Sequence, residues 1–298
     1  MPDATSKPPI TGRTNRGSFG RRATLCAVAF VASLLASSPA TAQLNKTLHE
    51  DGWILAAAHA PGYQGSIWRT DLWIRFERPD ASIDLTFCES GVDNTDAETF
   101  TLETDVYGFY IEDVVDEYLD IGSGSWLGAI HYTASKGVQV YARVYSISAD
   151  GSRSYGQIIE GIPTADMSLS YNNPAYPNTR EDQWMFPVKH TSDGRFRVNV
   201  GAVNPTGVAT EVHFQIFDET GNDPPGNTPS FTETIPPYSM LQLSDPFKNV
   251  SGGDWSVYTI RVEAVHEDAG VFGYASVVDN ATNDAFFVRG TKRFRPDE

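Results

Sequence analysis

Cysteine is scarce in this 298-residue chain, which contains only Cys26 and Cys88. Cys26 lies within a stretch that is typical of an export signal, so the exported chain keeps Cys88 alone. A single thiol excludes an intrachain disulfide. About 256 residues bury enough apolar surface to fold without cross-links. We interpret Cys88 as a half-buried spectator in preference to a thiol that pairs with a second chain.

Positive charge is scarce as well. The chain has 22 lysine and arginine residues against 38 aspartate and glutamate residues, a formal net charge of −16 at pH 7. Such a surface repels phosphate backbones and anionic lipids, so we expect no nucleic-acid partner. Long apolar runs are missing beyond residue 42, and we expect no membrane insertion once the signal is removed.

The first 42 residues contain the three parts of an export signal. Arg21-Arg22 provide positive charge, residues 23–35 form an apolar run, and Ala40-Thr41-Ala42 is a small-x-small cleavage site before Gln43. This arrangement predicts a secreted or periplasmic protein. The general secretion route fits better than the twin-arginine route, because Ala23-Thr24 matches the twin-arginine motif loosely. Cleavage takes the formal net charge from −16 to −20, since it removes five basic residues and one acid.

Recognisable catalytic motifs are missing. The chain has no G-x-S-x-G sequence, and we interpret residues 122–125 as a turn. The triplets His49-Glu50-Asp51 and His266-Glu267-Asp268 lack the second histidine of a zinc hydrolase. The acids Glu112-Asp113 and Asp116-Glu117 show no spacing that identifies a glycosidase pair. We therefore predict a protein that is not an enzyme and needs no cofactor.

What the chain does contain is an internal repeat, with offsets between 128 and 131 residues. The repeated residues are mostly apolar residues and turn residues, which indicates a duplicated structural module. Four tryptophans, Trp53, Trp126, Trp184 and Trp255, are predicted to anchor the cores. The matched segments are Trp53-Ile54-Leu55 plus His59 with Trp184-Met185-Phe186 plus His190, residues 68–72 with 196–200, residues 121–126 with 250–255, and Val140-Tyr141 with Val271-Phe272.

Strand patterns fill both copies. Apolar residues alternate with polar residues along 82–87 and again along 211–216, a period of two that puts one face on a core. Glycine, proline and asparagine clusters interrupt such runs at short intervals. The patterns predict an all-β chain with two tandem immunoglobulin-like or fibronectin-like sandwich modules. Module 1 covers 51–162, a linker covers 163–179, and module 2 covers 180–298.

The chain resembles a family of secreted bacterial proteins with paired immunoglobulin-like β-sandwich modules. The resemblance covers 52–290 and implies a sandwich fold and an extracellular setting, but no reaction. It is carried by the strings WRTD at 68–71, YGQ at 155–157, NVGAVNP at 199–205 and YASVVDNATNDAFFV at 274–288.

Two acidic loops are candidates for a cation. Asp93, Asp96 and Glu98 place oxygen ligands at near-alternating positions, which suits Ca²⁺. A plain solvated hairpin is the competing interpretation of this loop. Residues 279–284 have a similar composition, but there we favour a turn capped by its own Asn and Asp side chains.

Two basic residue types recur between the copies. His59 and His190 occupy equivalent positions, and we interpret each as a strand-end histidine bonded to a backbone carbonyl, in preference to a repeated ligand. Arg69 precedes Asp71 by two residues, as Arg197 precedes Asn199, so each pair shares a strand face. We expect a structural ion pair or hydrogen bond within each pair.

Exposed aromatic rings provide the remaining functional signal. Trp73 and Tyr145 fall on the polar sides of their strands, which makes them candidates for a contact surface. Coverage of these rings by a second sheet or by the neighbouring module is the competing interpretation. We therefore predict a non-catalytic binding or structural protein of the cell envelope or extracellular space, with an unknown protein or polysaccharide ligand. The alternative is a secreted hydrolase that acts on glycans with carboxylates in a cleft between the modules.

Overall fold

The computed structural model describes residues 48–62, 65–117, 119, 124–170, 179–218, 230–249 and 257–296. The expected signal at 1–42, Trp255 and part of the expected linker lie outside these ranges. The described residues belong to one unit, Thr47–Glu298.

The first half of this unit contains eight strands and one helical turn. The turn α1 (Val114–Glu117) follows β5. The strands are β1 (His49–Pro61), β2 (Ile67–Phe76), β3 (Ala81–Glu89), β4 (Thr99–Thr104), β5 (Gly108–Ile111), β6 (Trp126–Ile147), β7 (Ser154–Glu160) and β8 (Ile162–Pro163).

The second half contains ten strands. They are β9 (Ser168–Leu169), β10 (Thr179–Lys189), β11 (Phe196–Asn204), β12 (Thr210–Phe217), β13 (Ser230–Ile235), β14 (Ser239–Ser244), β15 (Val257–Ala264), β16 (Gly270–Asp279), β17 (Ala285–Arg289) and β18 (Thr291–Pro296). Every pairing among these described strands is antiparallel. The prediction of an all-β chain is confirmed.

The two halves share one strand order. The 22-residue strand β6 serves two layers, because its first part pairs with β1 and β3 and its last part pairs with β2 and β7. In the second half β15 takes the first role, between β10 and β12, and β16 takes the second role, between β11 and β17. β8 borders β1 as β18 borders β10. The eight strands of the first half thus form one sheet through β6, whereas the second half divides the same strand order between two five-stranded sheets.

The strand registers refine the sequence repeat. A bulge between Ile54 and Ala57 in β1 recurs between Met185 and Val188 in β10. Trp73 pairs with Tyr141, and the equivalent Gly201 pairs with Tyr274. Tyr141 therefore corresponds to Tyr274, and the alignment of Val140-Tyr141 with Val271-Phe272 is wrong by two residues. The difference arises because extra residues separate β15 from β16 in the second half, whereas the equivalent part of the first half is the single continuous strand β6.

The predicted alternation fills two hydrophobic cores. Inward residues of β3, such as Ile83 and Leu85, are fully buried, and so are Val212 and Phe214 of β12. Burying each such side chain stabilises the fold by roughly 1.5–3 kcal/mol. Trp53 is a core anchor at 1% exposure, whereas Trp126 and Trp184 are half-buried.

The two cores are joined across the halves. The first-half cluster includes four second-half side chains, Val203, Met240, Phe272 and Tyr274. The segment predicted as a linker also makes backbone pairs, through β8 with β1 and through β9 with β16. The described part of 163–179 is therefore tied to both halves.

Cys88 is more deeply buried than the sequence suggested. Its side chain belongs to the first core, and the residue is 2% exposed. Burial raises the pKa of the thiol to about 12. The interpretation as a half-buried residue is wrong, because Cys88 follows the inward Phe87 where β3 leaves strict alternation.

Candidate functional site

An exposed aromatic pair lies on the outer face of the layer that contains β2 and β5. Trp73 and Tyr110 are direct cross-strand partners, and their ring centroids are 5.3 Å apart. They are 38% and 49% exposed. The sequence predicted Trp73 as a contact residue but missed Tyr110, whose exposure depends on the pairing of β5 with β2.

A buried carboxylate, that of Asp71, fixes the Tyr110 side chain of this pair. Asp71 is 2% exposed, and its oxygens accept hydrogen bonds from the hydroxyl of Tyr110 at 2.7 Å and from the hydroxyl of Tyr145 at 3.0 Å. The backbone N–H of Asp113 donates a third bond at 3.1 Å. A buried carboxylate with three donors is satisfied in its charged form. Burial, with the Asp71 charge, raises the pKa of both phenols, that of Tyr145 to about 12.

Tyr145 does not belong to the exposed surface. It is 5% exposed, because the guanidinium of Arg143 lies 4.3 Å from its ring centroid while its hydroxyl bonds to Asp71. The prediction of Tyr145 as a contact ring is wrong. Its place on the exposed face is taken by Tyr110, and Tyr145 supports that residue through the shared carboxylate.

A second polar cluster lies beside α1. His59 Nδ1 is 3.0 Å from Asp113 Oδ2, and Arg69 Nε is 3.3 Å from the same oxygen. Burial raises the pKa of Asp113, an effect that His59 and Arg69 oppose. Asp113 adopts the left-handed region, at φ 44°. Two sequence expectations are wrong here: His59 contacts a carboxylate, and Arg69 pairs with Asp113 rather than with Asp71.

The same cluster is the one group of three metal-capable side chains found among the described residues. His59, Asp113 and Asp116 place ligand atoms within 4.8 Å of one another. However, Arg69 already approaches the Asp113 oxygen that faces His59. A guanidinium there repels a cation. The arrangement fits a structural ion-pair network better than a metal site.

The second half repeats this histidine–aspartate pair in a looser form. His190 Nε2 lies 3.8 Å from Asp245 Oδ1, and Asp245 also has a positive φ, 51°. Asp113 follows β5 and directly precedes α1, and Asp245 follows β14 and directly precedes a 3-10 turn at Pro246–Asn249. Burial lowers the pKa of His190, which stacks on Phe247 at 4.7 Å. Asp113 and Asp245 each lie two residues after equivalent residues, Ile111 and Leu243, and this shared spacing is the signal that could have identified both aspartates.

The predicted calcium ligands Asp93, Asp96 and Glu98 are not brought together. The Asp93 carboxylate caps its own turn by accepting bonds from the N–H and the hydroxyl of Thr95. Asn94 points the other way and bonds to the second half through the carbonyl of Tyr238 at 3.0 Å. These three acids do not form a metal-capable group among the described residues. The loop joins the halves, and its geometry gives calcium no support.

The second acidic loop is a capped turn, as expected. Asp279 Oδ1 accepts a bond from the N–H of Ala281 at 2.8 Å, and the backbone N–H of Asp279 donates to Asp284 at 2.9 Å. The bond from Ala281, together with a salt bridge from Arg195 to Asp279 at 3.2 Å, lowers the pKa of Asp279.

A cleft of about 590 Å³ lies between the two halves. Its volume falls within the roughly 300–1,000 Å³ typical of ligand sites. The first half contributes residues such as Trp68, Arg153 and Tyr155, and the second half contributes Arg197 and Asp245. Asp245 is the one carboxylate in the described lining. A glycosidase needs two carboxylates, so this lining does not support the hydrolase alternative.

The chain was compared with known proteins. No family model matches it, and no curated protein matches it. Among solved structures the chain is similar to vicilin from Corylus avellana (hazelnut), at 10% identity, over 84% of this chain and 76% of that chain, with a TM-score of 0.20. A TM-score this low carries no argument. Within the described residues, no helix is long and apolar enough to cross a membrane.

Proposed function

We propose that this protein is an exported, non-catalytic binding protein whose exposed Trp73–Tyr110 face binds a polysaccharide. It is built from two tandem immunoglobulin-like or fibronectin-like modules, 51–162 and 180–298. The repeated strand order and the repeated bulge support the two-module architecture. The signal-like residues 1–42 and the family resemblance support export.

The observation that carries the proposal is the exposed ring pair on a rigid support. Adjacent exposed apolar groups that form a continuous patch are typical of interaction sites, whereas single exposed apolar residues are common. Trp73 and Tyr110 present flat apolar faces, and the Tyr110 hydroxyl is fixed by Asp71 at 2.7 Å. A sugar ring has apolar C–H faces that stack on such rings, and pre-ordered side chains lose little entropy on binding.

The second half lacks this face, which indicates a specialised surface. Gly201 stands where the first half has Trp73, and Gln242 stands where it has Tyr110. A side chain at Gly201 would collide with the Tyr274 ring, 2.2 Å from the added Cβ. Asp71 and Tyr145 are likewise replaced by Asn199 and Val278. Duplication explains the shared core, but it does not explain the aromatic pair.

The test is a pull-down of the purified protein against insoluble and soluble polysaccharides, with Trp73→Ala as the variant. Central tryptophans of binding surfaces contribute about 2 kcal/mol or more. We therefore expect at least about a tenfold loss of affinity in W73A. Phe186→Ala is the control, since Phe186 is 64% exposed in the second half, away from this face.

Two outcomes would overturn the proposal. The first is polysaccharide binding that W73A retains in full. The second is the capture of an envelope protein through Trp73 with no polysaccharide bound, which would replace the ligand class. Circular dichroism of W73A checks that the all-β fold is intact.

A further inference from the structure

The cleft between the halves differs in charge from the rest of the molecule. Its charged lining residues are Arg153, Arg197 and Asp245, whereas the whole chain has a formal net charge of −16. Asp245 is the one acid among them, so the two arginines outnumber the acids of the described lining. The cleft is therefore a locally positive region on an acidic protein, and such a region attracts anions.

Arg197 has lost the counter-ion that its equivalent keeps. In the first half Arg69 lies 3.3 Å from Asp113. No carboxylate among the described residues lies within 4.0 Å of the Arg197 guanidinium, whose side-chain hydrogen bond goes to the neutral amide of Asn280 at 3.3 Å. The Arg197 side chain is exposed at the cleft. A guanidinium without a charged partner has its donors open to an anion.

The opposite wall of the cleft carries aromatic and hydroxyl groups. Trp68 and Tyr155 flank Ser146 across neighbouring strands. Ser244 and Ser276 lie on the second-half wall on either side of Asn199. Hydroxyls and amides match the many hydroxyl groups of a saccharide, and rings match its C–H faces.

We propose that this cleft binds a carboxylate-bearing saccharide, with its carboxylate on Arg197 and Arg153 and its ring against Trp68 and Tyr155. A singly charged carboxylate fits the two arginines beside Asp245, whereas a doubly charged phosphate meets repulsion from that acid and from the acidic surface. The site is separate from the Trp73 face, so the inference does not depend on the proposed function.

The test is isothermal titration calorimetry of the purified protein with uronic-acid oligosaccharides. The probes are oligogalacturonate, oligoglucuronate and oligomannuronate, each paired with its methyl-esterified form. We expect at least one acidic probe to bind at low salt and its neutral ester to bind at least tenfold more weakly. Affinity falls as salt rises, because the interaction is ionic.

The variants locate the binding. Arg197→Gln is expected to weaken the acidic probe at least tenfold, and Arg153→Gln to weaken it less, because the Asp150 carboxylate already interacts with Arg153. Arg195→Gln is the matched control, since Arg195 is ion-paired with Asp279 and does not line the cleft. Trp73→Ala leaves this binding unchanged, which separates failure here from failure of the aromatic-face proposal. The inference is overturned if no acidic probe binds at millimolar concentration, or if R197Q binds like the wild type.

Discussion

At the scale of single residues, two buried aspartates in the first half have different partners. Asp71 accepts bonds from two phenols and one backbone N–H, so its charge is balanced by hydrogen bonds. Asp113 meets a histidine through a hydrogen bond and an arginine through an ion pair. The first arrangement fixes the orientation of exposed rings, and the second fixes the corner where β5 passes into α1.

The phenols above Asp71 give a pH prediction. An unfolded tyrosine titrates near pH 10, and the pKa of Tyr145 in the folded protein is raised to about 12 by burial and by Asp71. The folded state favours the neutral phenol, so this contribution to stability is complete below pH 10 and is lost as pH rises through about 12. Between these values the free energy of unfolding should fall with pH, less steeply in Tyr145→Phe than in the wild type.

Urea unfolding curves measured at pH 8 and pH 11 test this prediction. Burial also raises the pKa of Tyr132 and Tyr274, so some dependence on pH remains in the variant. Identical slopes in Y145F and wild type would show that the Tyr145 phenol is already ionised in the folded protein over this range.

At the scale of elements, the sequence predicted strands well and their partners poorly. The alternation along β3 and β12 specifies which face is buried, because the period of two is local. The partners of His59 and Tyr110 are not local, since Asp113 and Asp71 lie 54 and 39 residues away in the chain. Only the pairing of β1, β2 and β5 brings them together. Composition alone therefore suggested a cation-binding loop at residues 93–98. In the structure Asn94 of this loop instead bonds to Tyr238 of the second half.

Asn94 in the loop after β3 provides the element-scale prediction. Its side chain donates to the carbonyls of Glu89 at 2.9 Å and Tyr238 at 3.0 Å, and it accepts from the N–H of Glu89 at 2.9 Å. Asn94→Ala leaves these groups without their partner, at a cost of about 1–3 kcal/mol. We expect that loss in urea unfolding and faster hydrogen exchange in the turn before β14.

Thr95→Ala is the control for Asn94→Ala, because Thr95 is exposed and bonds only within its own turn, to Asp93. Its free energy of unfolding should stay within about 0.5 kcal/mol of the wild type. Stabilisation of the wild type by added Ca²⁺, lost in Asp93→Asn, would instead restore the cation interpretation of this loop.

At the scale of the whole molecule, two halves with the same strand order have different outer faces. In the second half the layer with β11, β14 and β16 faces the first half, and Gly201 lets the Tyr274 ring lie close to the backbone. In the first half the equivalent layer presents Trp73 to solvent. The outer face of the second-half layer therefore packs against the first half and lines the cleft. The equivalent face of the first half, which carries Trp73, stays accessible to a ligand.

Because second-half side chains pack in the first-half core, we expect the two halves to unfold together. Met240 is fully buried and packs in the first-half core although it belongs to β14 of the second half. The backbone carbonyl of Met240 also accepts a bond from the N–H of Gly91 at 3.1 Å. Because separating the halves exposes this shared core, we expect one cooperative calorimetric transition, with calorimetric and van't Hoff enthalpies that agree. Met240→Ala should lower stability by about 2–5 kcal/mol.

The decisive comparison is between Met240→Ala and Met185→Ala. Met185 is equally buried but lies in the second-half core alone. If the halves are coupled, both variants shift the whole transition, since unfolding either half removes the partner surface of the other. If the halves are independent, M185A splits the transition and leaves the first half at its original temperature. Such a split would mean that the cleft is a gap between mobile modules, whereas a single shifted transition means that its two walls are held in fixed register.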